Sequence, residues 1–150
     1  IVVNHDTLRL MVNHLQSYGI NEKDLQIDTL SMNGIKNSAL NQKLQTADNL
    51  RHQQAKEVKQ AVKKSPYPVM VVGDFNAIPL SRVYWRIKLG LRDTFLEGSL
   101  GKLGNTYKRK GIGVRIDYIL CSHTLQVIES KVDSEAKYSD HYPLISTIGW

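Results

Sequence analysis

The sequence predicts an α/β fold, because apolar segments of strand length alternate along the chain with segments of helical spacing. Residues 69–72 form an uninterrupted apolar run, which is the pattern of a short buried strand. Between residues 38 and 64, apolar side chains such as Leu44, Val58 and Val62 recur close to the helical repeat. Strands that interleave with helices along the chain are typical of the α/β class.

The first third of the chain is predicted to hold two strands, a loop and the start of one long helix. Residues 1–3 and 8–12 are mostly apolar and are predicted to be strands. Residues 19–37 are rich in Asn, Asp, Ser and Gly, which is typical of a loop. The helix is predicted over residues 38–64, because Pro66 lies just beyond this segment and cannot continue a helix.

The rest of the chain is predicted to contain one short helix and several further strands. The helix is expected at residues 81–89, where apolar and charged residues alternate at helical spacing. The extended segments are predicted from apolar and aromatic runs, and they lie at residues 69–72, 106–107, 115–120, 125–132 and 142–148.

The composition limits the kind of protein and the kind of partner. The chain has 150 residues, of which 41% are apolar and 23% charged, as expected for one globular domain with its own core. The net charge of +6 favours an anionic partner, and phosphate, nucleic acid and an anionic membrane surface all fit. The single Cys121 excludes an internal disulfide and a cysteine metal cage. No segment has the length of a membrane span, and no signal-like start is present, so the localisation stays open.

Two oxygen-bearing side chains follow the apolar run at residues 69–72. Gly73 allows a sharp change of direction, and Asp74 and Asn76 are two residues apart, so an extended backbone would place them on one face. Ligands of α/β sheets bind outside the carboxyl ends of the strands, and a carboxylate beside an amide suits a hard cation such as Mg²⁺. The alternative interpretation is an ordinary turn, which Asp, Asn and the following Pro79 also favour.

Polar side chains of the same kind lie at the ends of other predicted strands. His14 follows an apolar strand, and Asp117 lies between two apolar residues, where a carboxylate requires a partner. Asp140 and His141 directly precede the last strand, so a loop must present both of them. Acids, an amide and histidines at several strand ends indicate one site more than separate structural roles.

Three ordered motifs resemble the endonuclease/exonuclease/phosphatase superfamily. These motifs are GDFN at residues 73–76, RIDYIL at 115–120 and SDHYP at 139–143, with support from NHLQS at 13–17 and LRHQQA at 50–55. The resemblance implies a four-layer α/β/β/α sandwich, in which residues 1–150 form the C-terminal portion of the domain and supply one sheet with flanking helices. It also implies that the first half of the domain, which provides an Asn and a metal-binding Glu in this family, is not part of this sequence.

The resemblance implies a role for each matching residue of the site. His141 is similar to the general base that activates water, and Asp117 is similar to the acid that orients this base. Asp140 resembles a metal ligand, for Mg²⁺ or Mn²⁺. Asp74 and Asn76 resemble catalytic residues that align the nucleophile and the scissile phosphate, or that hold a second metal ion.

Other residues are candidates for contact with the substrate. The resemblance implies that His14 contacts a phosphate oxygen and stabilises developing charge there. Arg115 is expected either to bind phosphate or to be the ion-pair partner of Asp117. Thr106 and Tyr107 are candidates for lining the cleft, the alternative for Tyr107 being a packed core residue.

The expected function is metal-dependent hydrolysis of a phosphoester by activated water, of a phosphodiesterase or nuclease-like kind. A phosphomonoesterase or a phospholipid-type phosphodiesterase of the same fold is the alternative, and a non-catalytic partner-binding module is the alternative of another class. The net charge of +6 favours nucleic acid, whereas the closest resemblance, to a bacterial branch with membrane-spanning helices before the domain, keeps a phospholipid substrate open. The expected protein partner is the first half of the domain or a second copy of the chain, which would cover the inner face of the sheet.

Overall fold

The structure is a computed structural model, which describes residues 1–3, 5–19, 38–99, 104–109, 111–136 and 138–150. The chain begins with three strands, β1 (Val2–Val3), β2 (Asp6–Thr7) and β3 (Arg9–His14). Helices and strands then alternate as far as β6, namely α1 (Ser38–Lys63), β4 (Val69–Asp74), α2 (Arg82–Lys88), β5 (Arg92–Asp93), α3 (Thr94–Gly98) and β6 (Tyr107–Arg109). Four more strands follow, β7 (Ile112–Val114), β8 (Asp117–Cys121), β9 (Gln126–Val132) and β10 (Leu144–Gly149).

A four-stranded sheet in the order β3-β4-β8-β5 forms the centre of the described chain. β3 and β4 are parallel, as expected for two strands connected through the long helix α1, and β8 is antiparallel to both β4 and β5. Three two-stranded antiparallel pairs, β1-β2, β6-β7 and β9-β10, lie outside this sheet.

One face of the sheet is buried against α1 and α2. Successive side chains of a strand point to opposite faces, and every second residue of β4 and β8 belongs to the main core. The fully or almost fully buried members of this core from the sheet and the two helices are Ala55, Val69, Val71, Val83, Tyr84, Ile87, Tyr118 and Leu120. Removal of this apolar surface from water holds both helices on the sheet.

The opposite face of the sheet is not covered by the described elements at its β3 edge. Val12 is 77% exposed and Leu10 is 40% exposed, although both are large apolar residues. Val12 pairs in register with Val72, which pairs in turn with Ile119, and the last two are half-buried. An apolar row therefore runs across three strands and is open to solvent at one end.

The short elements α2 and α3 are fixed by their N-terminal caps. The Ser81 hydroxyl accepts a hydrogen bond from the Tyr84 backbone N–H at 3.1 Å and begins α2. Asp93 begins α3, because its carboxylate accepts from the backbone N–H groups of Phe95 and Leu96. Such caps satisfy N–H groups that have no partner within the helix.

The predicted class and most predicted elements are confirmed. The long helix ends at Lys63, within one residue of the prediction, and β4 runs two residues further than predicted, to Asp74. The predicted loop at 19–37 lies outside the described residues, except for Gly19. β2, β5, α3 and β7 were not predicted, because elements of two, two, five and three residues are too short to show a period. None of the helices in the described part of the chain has the length and apolar character needed to span a bilayer.

Candidate active site

Three predicted site residues lie in one row across adjacent strands. His14 pairs in register with Asp74 at the ends of β3 and β4, and Asp74 pairs with Asp117 at the start of β8. The row lies on the face opposite to the helices, two residues beyond the row of Val12 and Val72. The sheet register therefore brings together side chains that are up to 103 positions apart in the sequence, from His14 to Asp117.

His141 is in hydrogen-bond contact with Asp117, as the sequence predicted. Nδ1 of His141 lies 2.9 Å from Oδ2 of Asp117, and the two side chains are 33% and 21% exposed. An ionised carboxylate can only accept, so Nδ1 is the donor in this contact, and in the neutral ring Nε2 then has the lone pair. The neutral ring in this tautomer can accept a proton through Nε2.

The loop before β10 holds His141 beside Tyr107. The two residues form an isolated antiparallel bridge, and their ring centroids are 4.9 Å apart. The His141 backbone N–H donates to the Ser139 hydroxyl at 3.1 Å. Tyr107 therefore lies at the site, as predicted, and it packs against the ring of His141.

Asp74 lies between the His14 ring and a second carboxylate. Its Oδ2 is 3.7 Å from Nε2 of His14, and its register partner Asp117 adds a second carboxylate. Burial raises the pKa of Asp74, and the charge of Asp117 acts in the same direction. A hydrogen bond from the Asn76 backbone N–H opposes this rise in pKa, as do the nearby His141 and His14 rings.

Asn76 approaches Asp74 through a turn, which corrects the expectation of an extended backbone. β4 ends at Asp74, and Asn76 has a φ of 46°, in the left-handed region that Asn tolerates. Its backbone N–H donates to Oδ1 of Asp74 at 2.7 Å, and its side-chain amide donates to Oδ2 of Asp74 at 3.0 Å and to the Leu15 carbonyl at 2.9 Å. Both side-chain N–H groups are therefore engaged, whereas the amide oxygen can serve as a ligand.

Gly73 is required by the close approach of two strands. Its φ is 126°, and a Cβ at this position would overlap the carbonyl oxygen of Asn13 in β3. The turn interpretation of the GDFN segment is therefore confirmed, and this turn places the two polar side chains together.

Arg115 does not reach the site, and the prediction that it binds substrate or pairs with Asp117 is corrected. Its guanidinium is buried and bonds to both carboxylate oxygens of Asp93, at 3.0 and 2.8 Å. The Tyr84 hydroxyl donates to the same carboxylate at 2.7 Å. Asp93 was not predicted as a partner, because it is separated from Arg115 by 21 intervening residues and only the β5–β8 pairing brings the two segments together.

A cavity of about 640 Å³ opens beside these side chains. The predicted site residues that line it are His14, Asp74, Asn76, Tyr107, Asp140 and His141. Asp117 is not among its lining residues, which agrees with a carboxylate that contacts the base from behind. Thr106, predicted to line the cleft, is fully buried instead.

Arg51 and Gln54 of α1 bond to the chain that follows His14, and Arg51 also lines the cavity. Arg51 donates to the Gln16 carbonyl at 3.2 Å, and the Gln54 side chain accepts from the Gln16 backbone N–H at 2.8 Å. The Tyr18 ring lies 3.8 Å from the Arg51 guanidinium carbon. These contacts hold the chain directly after His14 against the helix.

The donors at the cleft fit a divalent cation. Among the described residues, Asp74, Asp117 and His141 form a group whose ligand atoms all lie within 4.8 Å of one another. Asp140 is outside this group, and its carboxylate accepts from the Ser139 hydroxyl at 3.4 Å. The carboxylates of Asp74 and Asp117 repel each other, and a cation between them would relieve this repulsion. Carboxylate oxygens are ligands that suit a hard ion such as Mg²⁺ or Mn²⁺.

Comparisons with known proteins agree with this geometry. The sequence matches the family profile described as the Endonuclease/Exonuclease/phosphatase family over residues 27–141. An AP endonuclease from Archaeoglobus fulgidus superposes with a TM-score of 0.64 at 17% identity, over 93% of this chain and 61% of that chain. A D. rerio TDP2 humanized by 14 mutations superposes with a TM-score of 0.62 at 20% identity, over 97% of this chain and 57% of that chain.

A third solved structure is a family protein from Leptotrichia buccalis C-1013-b, with 26% identity and a TM-score of 0.54, over 64% of this chain and 41% of that chain. The chain thus spans between 41% and 61% of the length of these three structures. No significant sequence match was found among curated proteins. The structural likenesses confirm the predicted fold, which is the α/β sandwich of deoxyribonuclease-like proteins.

Proposed function

Because the chain belongs to the endonuclease/exonuclease/phosphatase family, we propose that it supplies the base, the base-orienting acid and metal ligands of a metal-dependent phosphoesterase. The observation that carries this proposal is the contact of 2.9 Å between His141 and Asp117 at the wall of the cavity. A base and its orienting acid in hydrogen-bond contact are the arrangement expected of general base catalysis.

His141 removes a proton from water in the proposed mechanism. Its Nε2 accepts the proton, while Asp117 holds Nδ1–H and stabilises the imidazolium that forms. The activated water attacks phosphorus in line, the P–O bond to the leaving group breaks, and the leaving oxygen takes up a proton from solvent. No covalent bond forms between the protein and the phosphoryl group. Both side chains are in place before the substrate binds, which reduces the reorganisation needed in the transition state.

Asp74, Asn76 and Asp140 would hold the divalent ion, because Asp117 and His141 are engaged with each other. Asp140 lies outside the three-residue group described above but lines the same cavity as Asp74 and Asn76, and its carboxylate would have to turn toward them. When bound, the ion would neutralise charge on the phosphoryl oxygens. The raised pKa of Asp74 supports a cation there, because burial and the neighbouring Asp117 disfavour its negative charge without one. His14, 76% exposed at the edge of the same row, would contact a phosphate oxygen.

A diester substrate of the nucleic-acid kind is proposed ahead of a monoester or a phospholipid. The net charge of +6 favours a polyanion, and β6, which contains Lys108, adds positive charge close to the site. The non-catalytic alternative does not explain why a histidine that is hydrogen-bonded to Asp117 lines the same cavity as two further acids and an amide.

Hydrolysis of bis-p-nitrophenyl phosphate and of p-nitrophenyl phosphate by the intact protein tests the proposal. We expect turnover of the diester with Mg²⁺ or Mn²⁺, none with EDTA, and loss of turnover in His141→Ala. His123→Ala is the matched control, because His123 is exposed and lies outside the cavity lining. Faster hydrolysis of the monoester would favour a phosphatase. The absence of metal-dependent turnover of both compounds would refute the enzymatic proposal.

The partner proposed for this chain covers the open face of the sheet. Val12 and Leu10 are exposed there, and two-layer sheet packing would bury them. The occupant proposed is the second sheet of the domain, supplied by residues outside this sequence, and a second copy of the chain is the alternative. Light scattering of the isolated 150 residues is expected to show self-association. A monomer at all concentrations would contradict the argument from the exposed face.

A further inference from the structure

Thr106 connects the two segments that carry the proposed base and its orienting acid. Its side chain is fully buried. The hydroxyl oxygen accepts from the backbone N–H groups of Ile116 and Asp117, at 3.1 and 3.0 Å. The Thr106 carbonyl accepts from the backbone N–H of Tyr142, at 2.6 Å. One residue thus bonds to Asp117 on one side and to the neighbour of His141 on the other.

The contacts of the next two residues extend this connection. Tyr107 forms its backbone bridge and its ring contact with His141. The Lys108 backbone N–H donates to the Asp140 carbonyl at 3.0 Å. Residues 106–108 therefore contact each of the three consecutive residues Asp140, His141 and Tyr142.

The connection matters because sheet pairing does not fix the distance between base and acid. Asp117 begins β8, which belongs to the four-stranded sheet. His141 precedes β10, which pairs with β9 and is not hydrogen-bonded to that sheet in the described part of the chain. The relative position of the two segments therefore depends on contacts outside the strand ladders, and Thr106 bonds to both.

We propose that Thr106 is a positioning residue that sets the contact between Asp117 and His141, an inference that rests on the phosphoesterase function proposed above. The chemistry of the side chain explains why a hydroxyl is needed at this position. A hydroxyl oxygen has two lone pairs and accepts two N–H groups at once. Valine has nearly the same shape but no acceptor, so it would leave the N–H groups of Ile116 and Asp117 without their partner.

Two substitutions separate positioning from simple packing. Thr106→Val keeps the volume and removes the acceptor, whereas Thr106→Ser keeps the acceptor and removes a methyl group. In the intact protein with Mn²⁺ and bis-p-nitrophenyl phosphate, Thr106→Val is expected to lower kcat by about 10- to 100-fold with KM nearly unchanged. Thr106→Ser is expected to restore kcat to within a few-fold of the original protein, although both variants lose stability.

Thr94→Val is the matched control. Thr94 is also fully buried, and its hydroxyl bonds to the Ser146 hydroxyl at 2.8 Å, away from the cavity. We expect this variant to lose stability and to keep the kcat of its folded fraction. A kcat for Thr106→Val equal to that of Thr94→Val would overturn the positioning role. If Thr106→Val does not fold, Thr106→Cys, a weak acceptor of similar size, is expected to show the same kind of loss in kcat, and full kcat would overturn the inference.

A second measurement does not depend on hydrolysis. Hydrogen exchange of the backbone amides is expected to accelerate at Asp117 and Tyr142 in Thr106→Val, but not in Thr106→Ser or Thr94→Val. Unchanged protection of both amides in Thr106→Val would refute the connection itself. If the original protein hydrolyses neither compound, the proposed function fails, and the exchange rates still decide whether Thr106 joins the two segments.

Discussion

Asp117→Asn is the substitution that most directly tests the pairing at the site. The change keeps the size of the side chain and removes its charge, so it leaves the register of β8 with β4 intact. An amide that presents its oxygen to Nδ1 of His141 replaces a hydrogen bond to a charged group by a neutral one. An amide that presents its NH₂ group instead selects the tautomer in which Nε2 carries the proton and cannot accept another.

The expected loss of kcat in Asp117→Asn follows from the contact of 2.9 Å and from the small exposure of the Asp117 and His141 side chains, 21% and 33%. A hydrogen bond to a charged group contributes roughly 1.5 to 3 kcal/mol, and loss of that amount from the transition state lowers kcat about 10- to 150-fold. Where the wrong tautomer also dominates, the loss approaches the factor of about 10⁴ seen for the same change in catalytic triads. We therefore expect kcat to fall by at least tenfold.

The assay is steady-state hydrolysis of bis-p-nitrophenyl phosphate by the intact protein, with the free energy of unfolding measured in parallel. Stability is expected to stay within about 1 kcal/mol, because one hydrogen bond is weakened while repulsion of the Asp74 carboxylate is removed. The double variant Asp117→Asn/His141→Asn should lose no more activity than His141→Asn alone, since the two residues act as a unit. An Asp117→Asn protein with unchanged kcat, or a fully additive loss in the double variant, would refute the assignment.

Three further predictions concern the fold that carries the site. Arg115→Ala should destabilise the protein by about 3 to 5 kcal/mol in urea unfolding, because it leaves the Asp93 carboxylate buried without its cation; a loss below 1 kcal/mol would contradict this. Gly73→Ala should cost more than about 1 kcal/mol, since its φ is 126° and the added Cβ meets the Asn13 carbonyl; equal thermal stability of the variant would contradict the strain argument. Cys121 should resist thiol reagents at pH 8 until the protein unfolds, because it is fully buried and burial raises its pKa to about 11. Rapid labelling of the native protein would contradict this prediction and show that this part of the core opens.

The sequence was informative where an element is long or a motif is local. The helix α1 has 26 residues and shows its period clearly, and β4 ends at Asp74, within the GDFN motif. That His14, Asp117 and His141 lie close together could be predicted, because each stands next to an apolar strand segment and matches a family motif.

The partners that depend on tertiary packing could not be predicted. The sequence places Arg115 two residues before Asp117, a spacing that would turn both to one face in extended backbone. Arg115 lies before β8 begins, however, and its guanidinium bonds to Asp93 in the core instead. Thr106 looked like a cleft residue because it precedes Tyr107, and its role depends on hydrogen bonds to backbone groups of two other segments, which no residue pattern reveals.

The row of His14, Asp74 and Asp117 also bears on how faithfully the sheet assembles. A shift of one residue between strands turns every side chain of the shifted strand to the other face. If β4 slipped by one position, Asp74 would enter the layer that Val71 and Leu120 fill under the helices, where an unpaired carboxylate is expensive. Misaligned sheets are thus penalised by the very charges that the proposed reaction uses. The polar row therefore favours the native strand register. The folded state of lowest free energy is the one in which His14, Asp74 and Asp117 pair across the strands.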